Sequence, residues 1–254
     1  MQTNEKQEAT GLLKSLRTGD PKPLDYINPN KYIQHNLNVA TGLQGLKELF
    51  SRLPPETKVK TVRAFQDGPF VFVHSEYDFF GPKVGFDIFR FEDGRIVEHW
   101  DKLQETPKQP NPSGHTMIDG PTAATDVEKT EANKQLVRNF VEDIFVHVEL
   151  DKFANYFDGD KYIQHNPRRT DGTAALGDKL REAAKQGTPL KFDKVHRVLG
   201  EGNCVLTVSE GQFAGKPASF YDLWRVENGK IAEHWDAVEA IPEKGEWKNS
   251  NGKF

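Results

Sequence analysis

A single cysteine, Cys204, is all that 254 residues contain, which excludes an intramolecular disulfide and fits a reducing compartment. It lies in the apolar run NCVLTV (203–208) and reads as a small buried hydrophobe, not a nucleophile. Long apolar runs are missing too, so no segment is expected to span a bilayer. The first ten residues, MQTNEKQEAT, lack an apolar signal core, and the expectation is a cytoplasmic protein without export. Basic excess is absent: 34 Lys and Arg face 38 Asp and Glu, for a net charge of −4, so no stripe for nucleic acid is expected. Neither nucleic acid nor membrane is read as a partner.

What the chain does have is itself, written twice. KYIQHN occurs at 31–36 and again at 161–166. DIFRFEDGRIVEHWD (87–101) returns as DLWRVENGKIAEHWD (222–236), and HSEYDFFG (74–81) aligns with VSEGQFAG (208–215). NPSGHT (111–116) resembles NSNGKF at the end of the chain. A spacing this long lies far above that of solenoid repeats and implies a duplicated domain. The stretch 104–126, rich in Pro, Gly, Ser and Thr and without apolar period, reads as linker. The expected domains are 1–121, with its C-terminal linker, and 122–254.

Within copy two, Leu136, Val137, Phe140, Val141, Ile144, Phe145 and Val148 recur at three- and four-residue steps, a helix beginning near Thr125 or Asp126. A short helix follows in LDKFANYF, then the extended YIQHN, then a helix over TAALGDKLREAAKQ, matched in copy one by LQGLKELFSRL. Strand-like runs close each unit, an α+β plan. The first helix of copy one, GLLKSLRTGDPKP, reads as cut short by Gly and Pro.

The last hairpin turns at Glu92-Asp93-Gly94 and at Glu227-Asn228-Gly229. A three-residue loop with a left-handed glycine would pair Phe91 with Arg95 and Asp87 with His99. One face then carries Asp87, Phe89, Val97, His99 and Asp101, and in copy two Asp222, Trp224, Ala232, His234 and Asp236. The other carries Ile88, Arg90, Ile96, Glu98 and Trp100, with Arg90–Glu98 and Arg225–Glu233 as structural ion pairs.

These motifs together resemble the nuclear-transport-factor-2-like superfamily, and within it the SnoaL-like, polyketide cyclase-like proteins. The resemblance covers nearly all of both units. It implies two cone-shaped α+β barrels, related to the cystatin-like fold, with helices packed in a curved antiparallel sheet, arranged as a pseudo-dimer. It implies an apolar pocket open at one end. In the related ketosteroid isomerase an oxyanion-hole aspartate occupies the strand of Asp87 and Asp222. That enzyme's aspartate base falls where this chain has His35-Asn36 and His165-Asn166, so the base is missing. The acidic residue of the SnoaL-type cyclases has plausible counterparts in Asp101 and Asp236.

The functional reading gathers His35, Asp87, His99 and Asp101 around one pocket, and His165, Asp222, His234 and Asp236 around the other. A buried carboxylate beside an imidazole can remove a proton next to a carbonyl. Tyr32, Asn36, Phe89, Tyr162, Asn166, Arg168 and Trp224 are the candidate ligand contacts, with Arg168 or Arg169 meeting an anionic group at the second mouth. Trp100 and Trp235 read as anchors between the units. The expected ligand is a small, largely apolar, carbonyl-bearing molecule, and the chemistry a cofactor-free aldol cyclisation or isomerisation. The alternative is a non-catalytic ligand-binding or scaffolding protein, and whether the chain is an enzyme stays open. No metal is expected: HxH and HxxxH spacings are missing, and His74 aligns with Val208. His115, His147 and His196 read as surface or linker residues. Phe79 and Phe80, against Phe213 and Ala214, suggest the first pocket is the more filled. A homodimer is left open.

Overall fold

Each half of the chain spends its regular structure in one order: helix, two-residue strand, helix, four-stranded meander. The computed structural model describes residues 3–254. Its contacts define two compact units, Met1–Thr106 with Ile241–Phe254, and Pro107–Ala240.

In the first unit, α1 spans Asn4–Thr18, opened by the Thr3 hydroxyl accepting from the Lys6 amide and closed at Gly19 in the left-handed region. It buries Ala9, Leu12 and Leu13, one apolar stripe. The expectation of a stunted first helix is therefore corrected. The polar residues before Gly11 supply the early turns, and only Gly19 breaks the chain. β1 is Ile33–Gln34, α2 is Gly42–Arg52, and β2 to β5 are Lys58–Asp67, Phe70–Asp78, Pro82–Glu92 and Arg95–Glu105. The sheet order is β1-β5-β4-β3-β2, with β1 parallel to β5 and the meander antiparallel.

In the second unit, a 3-10 turn at Val127–Lys129 precedes α3 (Thr130–Val141), so the α-helix begins later than the sequence suggested. A π turn, Glu142–Val146, follows and keeps Ile144 and Phe145 on the buried face. LDKFANYF forms a 3-10 helix at Leu150–Tyr156. β6 is Ile163–Gln164, α4 is Thr173–Lys185, and β7 to β10 are Phe192–Glu201, Cys204–Phe213, Lys216–Glu227 and Lys230–Ala240. The order β6-β10-β9-β8-β7 repeats that of the first unit. Val137, Phe140, Phe145 and Phe153 pack with Trp224, Val226 and Ile231, so the core lies between the helices and one face of the sheet. Cys204 is buried within β8, as expected of an apolar side chain. No helix among the described residues is long and apolar enough to cross a membrane.

Two expectations about connectivity need correction. The units do not divide at residue 122. Segment 107–121, read as linker, belongs to the second unit, where the Asn111 side-chain amide donates to the Gln164 carbonyl at 2.5 Å. The corresponding tail belongs to the first unit, where the Asn249 amide donates to the carbonyls of Asn36 and Val39 at 2.8 and 2.9 Å. Composition marks such segments as irregular but does not say where their polar groups find partners.

The hairpin turns also differ. Asp93 and Gly94 both have positive φ (50° and 70°), as do Asn228 and Gly229 (52° and 71°), which makes two-residue turns of the kind that match strand twist. Glu92 pairs with Arg95, Phe91 with Ile96, and, after a one-residue bulge at Val97, Arg90 with Glu98, Phe89 with His99 and Asp87 with Asp101. A two-residue turn plus one bulged residue keeps the parity of a three-residue loop. Asp87, Phe89, His99 and Asp101 therefore still share a face, while Ile96 joins Phe91 in the core and Val97 takes the bulge.

Candidate functional site

Alternation along the meander and along YIQHN decides what meets what. In the second unit Gln164 lies beside His234 in the parallel pairing of β6 and β10. Tyr162, Gln164 and Asn166 alternate onto the helix-covered face, where they line a cavity with Asp222, Trp224, His234 and Asp236. Its volume is about 80 Å³, and Phe145, Leu176, Leu190, Phe192, Phe213 and Phe220 form its apolar wall. Arg169 is the cation on that wall. Arg168, the residue picked from sequence, is exposed, because its backbone amide turns onto the Asn166 side-chain oxygen.

The polar groups form one chain of hydrogen bonds. The Asn166 amide nitrogen donates to Gln164 Oε1 at 2.9 Å, fixing that atom as the acceptor. His234 Nδ1 lies 3.1 Å from the same oxygen, so Nδ1 carries the proton. His234 Nε2 then faces Asp222 Oδ1 at 3.0 Å. Burial pushes Asp222 up to about 7 and His234 down to about 4, so both groups are driven towards their uncharged forms. The Trp224 ring stacks on His234 at 3.9 Å and anchors its indole N–H on Thr207. Asp236 is raised as well, by burial first, while accepting two hydrogen bonds from the Asn166 side chain at 2.7 and 3.0 Å.

The first unit repeats this arrangement. His99 Nδ1 lies 3.1 Å from Gln34 Oε1, which takes the Asn36 amide, and Nε2 lies 3.0 Å from Asp87 Oδ1. Asn36 donates to Asp101 Oδ2 at 2.6 Å, and Phe89 stacks on His99. Tyr32 is buried in the core, its ionisation opposed first by that burial. One difference is large. The Tyr77 hydroxyl donates to Asp87 Oδ2, whereas Asp222 Oδ2 has no hydrogen-bond partner. In the first unit Tyr77 fills this place with Phe79 packed against its ring, while Phe80 is 72% exposed.

His35 and His165 are not in these clusters. Because Gln34 and Gln164 face His99 and His234, the next residue points to the other side of the sheet. There His165 Nε2 meets Glu233 Oε1 at 2.8 Å, its Nδ1 meets the Thr116 carbonyl at 2.7 Å, and its ring stacks on Trp235 at 4.7 Å. His35 makes the matching contacts with Glu98, the Gly252 carbonyl and Trp100. Arg90 and Arg225 pair with Glu98 and Glu233 at 2.6 Å, as the sequence indicated. Burial works against the Glu233 charge, but His165 and Arg225 outweigh it and hold the carboxyl below its usual range. His115 is more than linker: it lies 3.0 Å from Asp171 and against the His165 ring. His196 meets Glu210 at 3.0 Å. Gln34, Gln164 and Tyr77 were missed from sequence. The signal for the glutamines was present, since they sit midway between Tyr and Asn in a segment repeated without change.

Among the described residues, three groups of side chains bring possible metal-ligand atoms together. Donor atoms of Asp87, His99 and Asp101, of Asp222, His234 and Asp236, and of His115, Asp119 and His165 lie within 4.8 Å of one another in each set.

Residues 137–234 match the family described as the SnoaL-like domain. That stretch holds most of the second unit's site. No curated protein matches the chain. Among solved structures, an NTF-2 like protein of unknown function from Burkholderia xenovorans shares 22% identity, covering 45% of this chain and 89% of its own, with a TM-score of 0.38. TsrD from Streptomyces laurentii shares 20%, covering 41% and 92%, with a TM-score of 0.35. An LEH-like epoxide hydrolase from M. tuberculosis shares 18%, covering 39% and 81%, with a TM-score of 0.34. Each alignment spans about one unit's share of the chain, and likenesses this distant say nothing of activity.

Proposed function

We propose that the second unit binds a small, largely apolar, carbonyl-bearing molecule and moves a proton on it. The observation that supports this is the convergence of Asp222, His234 and Asp236 on one aromatic-lined cavity. Asp236, held by Asn166 and made more basic by burial, is the base for a proton next to the carbonyl. Charge developing on the carbonyl oxygen would settle towards Arg169, the cation on the cavity wall. Aldol cyclisation and isomerisation both begin with this step, and neither needs a cofactor for it.

For the first unit we propose a non-catalytic role, supported by the Tyr77 hydroxyl that occupies Asp87. We also propose that the units associate as an internal pseudo-dimer through the sheet faces opposite their helices. Each of those faces carries an apolar patch beside its ion cluster, with Phe72, Ile88 and Trp100 in cross-strand register in one and Leu206, Leu223 and Trp235 in the other.

The test is a thermal-shift screen of small ketones and aldehydes on the full chain, followed by turnover of any hit in Asp236→Asn. The reading expects stabilising hits and a loss of turnover of at least about 100-fold. Turnover unchanged in the variant would remove Asp236 from the role of base, and a screen without hits would remove the reading.

A further inference from the structure

One buried carboxylate oxygen has a hydrogen-bond partner in the first unit and none in the second, and that difference tells what kind of group the second one takes. Tyr77 lies in β3 opposite Lys83, four residues before Asp87 in β4. Gly211 lies in β8 opposite Ala218, four residues before Asp222 in β9. The two positions are equivalent in register. The polar partners of the carboxylates are otherwise alike: imidazole Nε2 at 3.0 Å from Oδ1, glutamine on Nδ1, asparagine on the second aspartate. In the first unit the phenol of Tyr77 donates to Oδ2 of Asp87. In the second unit no side chain can do so from position 211. A Cβ there would come within 2.8 Å of the Lys191 carbonyl and 3.1 Å of Phe192 Cα.

The aromatic volume has moved next door. Where the first unit has Gly85, the second has Phe220, tilted against Phe192 with ring centroids 4.5 Å apart. Phenylalanine fills space but offers no hydroxyl. Asp222 is therefore left 5% exposed with Oδ2 unpartnered, in a cavity walled by Phe192, Phe220 and Trp224. A buried polar atom without a partner is destabilising, and a ligand group that pairs with it removes that cost.

We infer that the second unit reads a hydroxyl on an aromatic ring, the ligand's phenolic O–H donating to Asp222 Oδ2 as the Tyr77 phenol donates to Asp87 in the first unit. The inference rests on the proposed binding role of this cavity and adds the class of ligand. The direction of the hydrogen bond follows from the geometry. Oδ1 takes the contact with His234 Nε2, and whichever of those two atoms holds the shared proton, Oδ2 carries none and is an acceptor. A ligand bearing only a carbonyl or an ether at this point has nothing to give it.

The test is calorimetric titration of the full chain with three probes: 4-methylphenol, which is the tyrosine side chain itself, 4-methylanisole and toluene. The expected result is at least about tenfold tighter binding of the phenol than of the other two, the factor one net hydrogen bond supplies. Asp222→Asn should keep that preference, since its amide nitrogen can serve His234 Nε2 while its oxygen stays in place as acceptor. Asp222→Leu should abolish it. Equal binding of the three probes to the unaltered chain would overturn the inference and leave the apolar-ligand reading standing. Binding of carbonyl compounds with no binding of the phenol would overturn it likewise. A cavity that takes neither probes nor carbonyl compounds would overturn both. Should Asp222→Leu fail to fold, the three-probe comparison and Asp222→Asn still decide.

Discussion

Gln164 holds His234 in one tautomer: its Oε1 takes the Asn166 backbone amide at 2.9 Å and the His234 Nδ1 proton at 3.1 Å. The same pair, Gln34 and His99, stands in the first unit. Nitrogen-15 spectra of the imidazoles should show His234 protonated at Nδ1 and bare at Nε2. Gln164→Leu removes the acceptor from two buried donors at once. It should cost about 1–3 kcal/mol of stability in urea denaturation and scatter the His234 tautomer signal. An unchanged tautomer would show that Gln164 does not set it.

The Asp222–His234 pair has a pH signature with opposing parts. Asp222 is raised to about 7 from 3.8, so the folded chain keeps a proton that the unfolded chain releases. This contribution weakens the fold as pH rises from about 4 to about 7. His234 is lowered to about 4 from 6.5, so the unfolded chain takes a proton that the folded chain refuses. This contribution weakens the fold as pH falls from 6.5 to about 4. Between those values the slopes offset each other. The charged groups facing the pair are Asp236 and Arg169. In Asp222→Asn only the His234 slope remains, and urea midpoints should drop on acidification from pH 6.5 to 4.5 more steeply than in the parent. Parallel midpoints would contradict the assignment.

On the other face of the sheet, Glu233 joins His165 and Arg225 with its side chain 3% exposed, while Glu98 joins His35 and Arg90 at 15%. Glu233→Gln takes the carboxylate from buried His165 and leaves half-buried Arg225 only the exposed Glu227, and should cost about 3 kcal/mol. Glu98→Gln should cost less, because water reaches that cluster. Denaturation midpoints of the two variants give the order, and the reverse order would be wrong for this account.

Asn249 ties the last segment of the chain to the first unit through two backbone carbonyls. Asn249→Ala leaves both without that donor and should cost about 1–3 kcal/mol. Limited proteolysis should then cut within 241–254 sooner than in the parent, and equal cutting rates would argue against the tie.

Much of this was legible in the residues. The repeat gave two like units, and strand parity put Asp87, His99 and Asp101, and Asp222, His234 and Asp236, on shared faces even though the turn was misread. Parity survives because one bulged residue replaces one turn residue. His35 and His165 were misplaced because a two-residue strand has no pattern of its own to read. Its facing is set by the parallel partner, β5 or β10, a long-range pairing. Tyr77 escaped notice because its role lies in a contact with Asp87, ten residues away and across a turn. The exchange of tails could not be read, since each tail is bound through backbone carbonyls, which every sequence has.

That exchange also sets an order of events on the ribosome. The second unit takes its extra segment, residues 107–121, from chain already made, so it has all its parts once β10 has emerged. The first unit has its helices and sheet early but waits for Ile241–Phe254, made only after the whole of the second unit. Domains ordinarily finish in the order they are translated. Here the half translated first is the half completed last.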